Sequence, residues 1–320
     1  MGRFFNRGSG PRGITGVALS HDGFAITHVV RRGNDRPVLK VCKYHPCSEP
    51  DAMRRALTLA VKVEGLEGSR CVCIPQPGVY SLRQIDAPPV AGGEIREAAR
   101  WQIMDLVDFD IETAAIDVFE IPTGEHEGQA RRMFVAAAPQ SLIDQAVELV
   151  KRAGLEVLAI DIYELALRNL ATLLPQNKDG VAVLYLSPDL GLLTITKDRT
   201  LYMARNLDAD VEKLGMLPNH EGGAGGEVEE AQQILDALLL EAQRSLDYFE
   251  AQLRQPPVTS LLVAPTESPL PAVVSYLDEN LAVNVATLDV NPLVECELNL
   301  PPSLQALCLP ALGAALRAET

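Results

Sequence analysis

The sequence is poor in cysteine, aromatic residues and basic charge, and each shortage excludes a class of protein. Its 320 residues include 6 cysteines, too few for a disulfide scaffold. Only 5% of residues are aromatic, and 28 basic residues against 43 acidic ones leave a net charge of -15. The basic residues are scattered, with pairs such as Arg31-Arg32 as the longest runs. Because nucleic acid is bound by clustered lysine and arginine, the composition predicts a protein with no nucleic-acid partner.

Long apolar runs are also missing. The longest, such as Val181 to Leu186, are far shorter than the ~20 residues of a membrane-spanning helix. The opening segment MGRFFNRGSGPRG contains no apolar secretory signal, and residues 1–13 are expected to form a flexible tail. These features predict a cytoplasmic protein.

Four of the cysteines and one histidine are candidate zinc ligands. Cys42, His45 and Cys47 end one predicted strand, while Cys71 and Cys73 lie two apart on another. This spacing lacks the pair of C-x-x-C knuckles that hold structural zinc. Cysteine is also a common small apolar residue of buried strands, so the sequence predicts no metal site.

A repeated order of elements indicates a duplicated fold. Three predicted strands, a helix and a further strand occupy residues 14–21, 23–31, 37–45, 51–64 and 70–74. The same order recurs at residues 181–186, 190–196, 201–206, 228–254 and 260–263. In each half a short polar turn containing an aspartate, Asp22 or Asp189, joins the first two strands. Two such lobes facing each other predict a cleft lined by both turns.

An insertion separates the two halves. It consists of a predicted helix at 94–107, strands at 115–121 and 132–137, and a helix at 141–153. The strand at 157–160 and the helix at 162–174 then return the chain to the first lobe. The predicted division is a tail at 1–13, a first lobe at 14–87 and 155–178, an inserted subdomain at 88–154 and a second lobe at 179–320.

Several segments resemble the MshI family, relatives of PilM, which is the actin-like cytoplasmic component of type IV pilus assembly. The segments are Arg100–Asp108 (RWQIMDLVD), Ala115–Ile121 (AIDVFEI), Ala159–Leu170 (AIDIYELALRNL), Arg244–Glu250 (RSLDYFE) and Leu312–Arg317 (LGAALR). The resemblance implies an actin-like, duplicated RNase H-like α/β fold of two lobes with a small α+β inserted subdomain. It also implies that the protein takes part in assembly of an MSHA pilus and lies at the inner face of the bacterial inner membrane.

The same resemblance identifies degenerate nucleotide loops. Nucleotide-binding members of the wider family carry, in each lobe, an aspartate and a glycine two residues later, and a later turn supplies two glycines beside the adenosine. The aspartate orients Mg²⁺, and glycine lets backbone N–H groups approach phosphate. This sequence has Ala18 and Ser20 in the first lobe, Tyr185 and Ser187 in the second, and Ala264-Pro265 in the later turn, with Asp22, Gly23 and Asp189 a few residues along. The departures predict no nucleotide cofactor and no hydrolysis.

In PilM relatives, the tail of an inner-membrane partner lies in a groove between the first lobe and the inserted subdomain. The resemblance therefore implies that this chain docks the cytoplasmic tail of a PilN-like or PilO-like membrane protein. The candidate contact residues are the apolar side chains of Trp101, Met104, Leu106 and Val107 on the inserted helix, which has more apolar residues than one buried face requires. The alternative for Trp101 is packing in the core.

Two other functions stay open at this point. The first is an ATPase or phosphotransferase that binds ATP with Mg²⁺ in the interlobe cleft, with Asp22, Asp189 or His21 as the catalytic base. These three residues are equally well explained as ordinary turn residues. The second is self-association through the long helix at 227–253, whose apolar stripe is alternatively part of the core.

Overall fold

The computed structural model describes residues 10–33, 35–90, 92–122, 131–217 and 226–318. Most of the predicted tail, residues 1–9, lies outside the described residues. No helix in the described part of the chain is long and apolar enough to cross a membrane.

The first sheet has five strands in the order β3-β2-β1-β4-β8. Its strands are β1 (Ile14–Leu19), β2 (Gly23–Val30), β3 (Val38–Pro46), β4 (Arg70–Ile74) and β8 (Glu156–Ile160). Strands β1, β2 and β3 are antiparallel neighbours, whereas β4 and β8 continue the sheet in parallel. Alternation along β2 sends Phe24 and Ile26 to one face of the sheet and Ala25 to the other.

The second sheet repeats this arrangement in the order β11-β10-β9-β12-β13. Its strands are β9 (Val181–Ser187), β10 (Leu190–Lys197), β11 (Thr200–Leu207), β12 (Ser260–Val263) and β13 (Asn284–Thr287). Strands β9 to β11 are antiparallel neighbours, and β12 and β13 are parallel to β9. The duplication predicted from the element order is therefore confirmed.

Helices lie on both faces of these two sheets and on the inserted subdomain. They are α1 (Pro50–Val63), α2 (Ile95–Ile103), α3 (Gln140–Arg152), α4 (Tyr163–Ala171), α5 (Val211–Leu214), α6 (Gly226–Ala251), α7 (Pro271–Asn280) and α8 (Pro302–Ala315). Short 3₁₀ turns occur at Met104–Leu106, Ile111–Thr113 and Pro175–Lys178. Helices α1 and α3 pack on the outer face of the first sheet, α6 and α7 on the outer face of the second, and α4 and α8 between the two sheets.

The apolar stripe of α6 belongs to the second core. Leu235, Leu238 and Phe249 are buried against the second sheet, so the core interpretation of this stripe holds. Self-association through α6 has no support from this face and stays a prediction.

The central layer is tight because two glycines allow backbones to touch. A Cβ on Gly16 of β1 would lie 1.9 Å from the carbonyl oxygen of Ala311 in α8, and one on Gly313 would lie 2.3 Å from that of Ala166 in α4. These clashes are with backbone atoms, which no side-chain rotation relieves. Helix α8 is thus held against both the first sheet and α4.

The inserted subdomain is a three-stranded antiparallel sheet, β5-β7-β6, with α2 on one face. Its strands are β5 (Ser81–Asp86), β6 (Ala114–Ile121) and β7 (Arg132–Pro139). Because β5 pairs along its length with β7, the boundary predicted at residue 88 lies after the first strand of this sheet.

Two segments that the predicted division places outside the first lobe form helices that pack on the first sheet. Helix α3, expected in the inserted subdomain, buries Ala146 and Val150 in the core of the first lobe. Residues 302–315, which the predicted division places in the second lobe, form α8 and pack on the first sheet and on α4. Both helices cover apolar surface of the first sheet.

Two of the four cysteines considered as zinc ligands are core residues. Cys71 and Cys73 are fully buried under α1 and α3, and their burial raises the pKa of both thiols, that of Cys73 to about 12. His45 stacks on Phe24, with ring centroids 4.9 Å apart. Among the described residues, no group of three or more potential ligands is arranged to hold a metal ion.

Candidate functional site

A cavity of about 530 Å³ lies between the two lobes, where β1 and β9 end. Seven of the nine residues predicted for the degenerate nucleotide loops line it: Ala18, Ser20, Asp22, Tyr185, Ser187, Asp189 and Pro265. The other two are structural. Gly23 has the carbonyl oxygen of His45 only 2.3 Å from the position of a Cβ, and Ala264 is buried in the core.

The two polar turns meet across this cavity. His21 Nδ1, in the turn of the first lobe, lies 3.1 Å from Asp189 Oδ1, in the turn of the second. The Asp189 side chain is less exposed than that of His21. Since each residue belongs to a different lobe, this contact bridges the mouth of the cleft.

Three tyrosines line the cavity, and only one of them, Tyr185, is among the residues predicted from the sequence to lie there. Tyr163 and Tyr185 have ring centroids 6.0 Å apart, and the Tyr163 hydroxyl donates to the Leu19 carbonyl at 3.1 Å. Tyr44 contacts Ser20, with 3.3 Å between their hydroxyl oxygens. Burial raises the pKa of Tyr185 to about 12 and that of Tyr163 well above its usual value. Both phenols are therefore neutral and present an aromatic wall.

The charge of the cavity is negative. Asp22, Asp189, Glu212 and Glu267 line it, and no lysine or arginine is found among its described lining residues. A triphosphate needs cationic or N–H donors to offset its own charge. The described lining thus has four carboxylates and no lysine or arginine to offset the negative charge of a triphosphate.

Three backbone donors at these turns are already used within the protein. The N–H of Ser20 donates to the Gly23 carbonyl at 2.9 Å, and the N–H of Leu190 donates to Ser187 Oγ at 3.1 Å. Ala264 N–H donates to the Leu184 carbonyl, and Pro265 has no N–H. These turns close on themselves and leave those groups unavailable to a phosphate.

The predicted partner-binding residues lie at the surface of the inserted subdomain. Trp101, Met104 and Leu106 have relative exposures of 59%, 42% and 50%; we call these three the Trp101 patch. On the opposite side of α2, Ala99 and Ile103 are fully buried. Core packing, the alternative considered for Trp101, is therefore wrong.

Val107, the fourth predicted contact, faces a different place. It lines a cavity of about 180 Å³ between the inserted subdomain, α4 and the second sheet, together with Tyr80, Glu164, Leu190 and Asn206. Within this cavity the Tyr80 hydroxyl lies 2.7 Å from a carboxylate oxygen of Glu164. Burial raises the Glu164 pKa to about 7, against the opposing effect of the Tyr80 hydrogen bond. No local pattern in the sequence indicates this buried pair.

Comparison with known proteins defines the class of the fold. No protein-family model matches the chain, and none of the curated proteins matches it. Solved structures do. A PilM-PilN type IV pilus biogenesis complex is similar at 22% identity, over 96% of this chain and 98% of the other, with a TM-score of 0.71.

Two more distant structures are also similar. A Bacteroides thetaiotaomicron protein with an actin-like ATPase fold is 12% identical over 96% of this chain and 98% of its own, with a TM-score of 0.50. The cytoplasmic domain of EpsL, an inner-membrane component of the Vibrio cholerae type II secretion system, is 14% identical over 93% of this chain and 94% of its own, with a TM-score of 0.49. The chain has the predicted actin-like, two-lobed α/β fold. Membership of the MshI family stays a prediction.

Proposed function

We propose that this protein is a cytoplasmic scaffold of an MSHA-type pilus assembly machinery, docking the cytoplasmic tail of a PilN-like or PilO-like inner-membrane protein without hydrolysing nucleotide. The likeness over nearly the whole chain to a PilM solved with PilN supports a partner of this kind. The MshI-like segments support the MSHA assignment. The protein would reach the inner face of the inner membrane through its partner.

The exposure of Trp101 is the main observation that supports docking of a partner tail. An exposed tryptophan beside exposed Met104 and Leu106 forms an apolar surface of the kind that marks protein-binding sites. Tryptophan is enriched among the residues that dominate interface energies, and methionine adapts to irregular partners. An extended apolar tail is a suitable ligand for such a surface.

The lining of the interlobe cleft supports the proposal that the protein does not hydrolyse nucleotide. Its four carboxylates and its internally bonded turn amides oppose a triphosphate. The contact between His21 and Asp189 joins the lobes through the protein's own side chains. Holding partners, rather than turning over nucleotide, is the role these features favour.

The test is calorimetric titration of the full chain with synthetic peptides spanning the cytoplasmic tails of candidate PilN-like and PilO-like proteins. We expect one peptide to bind. The Trp101→Ala substitution should lower the affinity for that peptide by about 10-fold or more. Leu59→Ala is the matched control, because Leu59 of α1 is 62% exposed and lies outside the inserted subdomain.

Both variants should keep the stability of the wild type to within about 0.5 kcal/mol, since they change exposed side chains. Failure of every tail peptide to bind the wild type contradicts the docking function. Equal affinities for the Trp101→Ala and wild-type proteins contradict the placement of the site.

A further inference from the structure

A second cavity lies at the end of the first lobe opposite the cleft. It is formed where β1 and β4 begin, where β2 ends and where the chain leaves α8, and its volume is about 920 Å³. Five arginines line it, and we call it the arginine pocket: Arg12, Arg31, Arg32, Arg70 and Arg317.

This concentration of charge departs from the rest of the chain. The protein has a net charge of -15, yet the described lining of this pocket contains no aspartate or glutamate. At physiological salt, charges are screened beyond roughly 8 Å. A ligand in the pocket would therefore experience the arginines rather than the net charge of the protein.

Two of the guanidinium groups are held in place by contacts within the protein. Arg31 Nη2 donates to the Leu316 carbonyl at 2.7 Å, and Arg317 Nη1 lies 2.5 Å from Asp161 Oδ2. Asp161 is itself 3% exposed, so that ion pair is anchored in the interior.

Further positive charge approaches from the second lobe. Arg199, in the turn between β10 and β11, lies close enough to Arg31 to lower its pKa, an effect second to that of burial. Arg168 of α4 donates to the Arg199 carbonyl at 3.2 Å. Like charges gathered in this way repel one another, and a bound anion would relieve the repulsion.

We propose that the arginine pocket binds phosphate groups of anionic phospholipid headgroups and so seats this end of the protein on the membrane surface. Guanidinium groups match phosphate oxygens in a bidentate geometry, and basic pockets at a membrane face bind anionic headgroups. The cavity is far larger than one free phosphate ion.

This inference goes beyond the proposed docking function, because it gives the protein a membrane contact of its own. The acidic remainder of the surface would be repelled by an anionic leaflet. Binding would therefore have one orientation, with the arginine pocket facing the lipid and the interlobe cleft, at the other end of β1 and β2, facing away.

The experiment is flotation of the full chain with vesicles of phosphatidylcholine alone or with one third phosphatidylglycerol, without any partner peptide. We expect flotation only with phosphatidylglycerol, at low ionic strength, and its loss in about 0.5 M NaCl. Arg12→Gln/Arg32→Gln removes two exposed arginines of the pocket. It should weaken vesicle binding about 25-fold, since each of the two arginines near an anionic leaflet changes affinity about fivefold.

The matched control is Arg96→Gln/Arg244→Gln, which removes two exposed arginines from the inserted subdomain and α6. It should bind within twofold of the wild type, and circular dichroism should report native folds for both double variants. Absence of wild-type flotation at low salt overturns the proposal, as does an equal loss in the two double variants. Binding of poly-glutamate peptide without binding of vesicles assigns the pocket to an acidic protein and also overturns it. The docking function is untouched by these outcomes, because no tail peptide is present.

Discussion

Tyr80 and Glu164 connect the inserted subdomain to the helix between the two lobes. The Tyr80 hydroxyl donates to Glu164 Oε2 at 2.7 Å and accepts from the backbone N–H of Tyr163 at 3.1 Å. Tyr80 directly precedes β5, whereas Glu164 is in the first turn of α4. A buried carboxylate thus secures the base of the subdomain that carries the Trp101 patch.

Glu164→Gln should stabilise the protein above neutral pH. The folded-state pKa is about 7 and the unfolded value is about 4.5, so the wild type loses stability as pH rises from about 4.5 through 7. The full loss is roughly 3 kcal/mol. Glutamine still accepts the Tyr80 hydrogen bond without a charge, and the variant should be more stable than the wild type at pH 8 by an amount of that order. Urea unfolding at pH 5 and pH 8 measures it.

The control for this change is Glu279→Gln, at an exposed position near the end of α7. It should leave the pH dependence of the free energy of unfolding as in the wild type. If Glu164→Gln keeps the wild-type loss between pH 5 and pH 8, Glu164 does not titrate as described.

Gly313→Ala should destabilise the protein by about 3 kcal/mol, because the new methyl group would overlap the backbone of α4 at Ala166. Gly93→Ala is the comparison, since no atom lies within 4 Å of its Cβ position. Thermal unfolding measures both variants. A melting temperature for Gly313→Ala equal to that of Gly93→Ala would mean that α4 and α8 separate without cost.

Millimolar Mg·ATP should leave the melting temperature unchanged, because the interlobe cavity offers carboxylates rather than cationic donors. A ligand present at 100 times its Kd would add about 2.7 kcal/mol, a shift of several degrees. Saturable stabilisation that disappears in Asp22→Ala/Asp189→Ala would instead establish the nucleotide-binding alternative.

The lobes were predictable because their strands carry strong local signals. Apolar β-branched runs such as that of β9, separated by polar turns at Asp22 and Asp189, appear twice in one order. The strand β5 was missed because its sequence, SLRQID, has two apolar residues and is only partly buried. Its pairing with β7 is a tertiary effect that local pattern does not encode.

Helix α8 was missed for a different reason. Its second half, from Cys308 to Ala315, is buried on all sides, so its apolar residues show no helical period, and Pro310 lies inside it. The arginine pocket was equally impossible to predict from the sequence. Arg12, Arg32, Arg70 and Arg317 are far apart in sequence, and only the fold brings them to one cavity. In contrast, the surplus of apolar residues over one helical face made Trp101 a candidate surface residue, with core packing as the alternative.

The position of α8 also bears on biosynthesis. This helix packs on β1, yet nearly 300 residues separate the two in sequence. At roughly 5–20 residues per second, a ribosome needs about 15–60 s to travel from one to the other. Throughout that interval one apolar face of the nascent first sheet lacks its cover, which makes it a natural client surface for a chaperone.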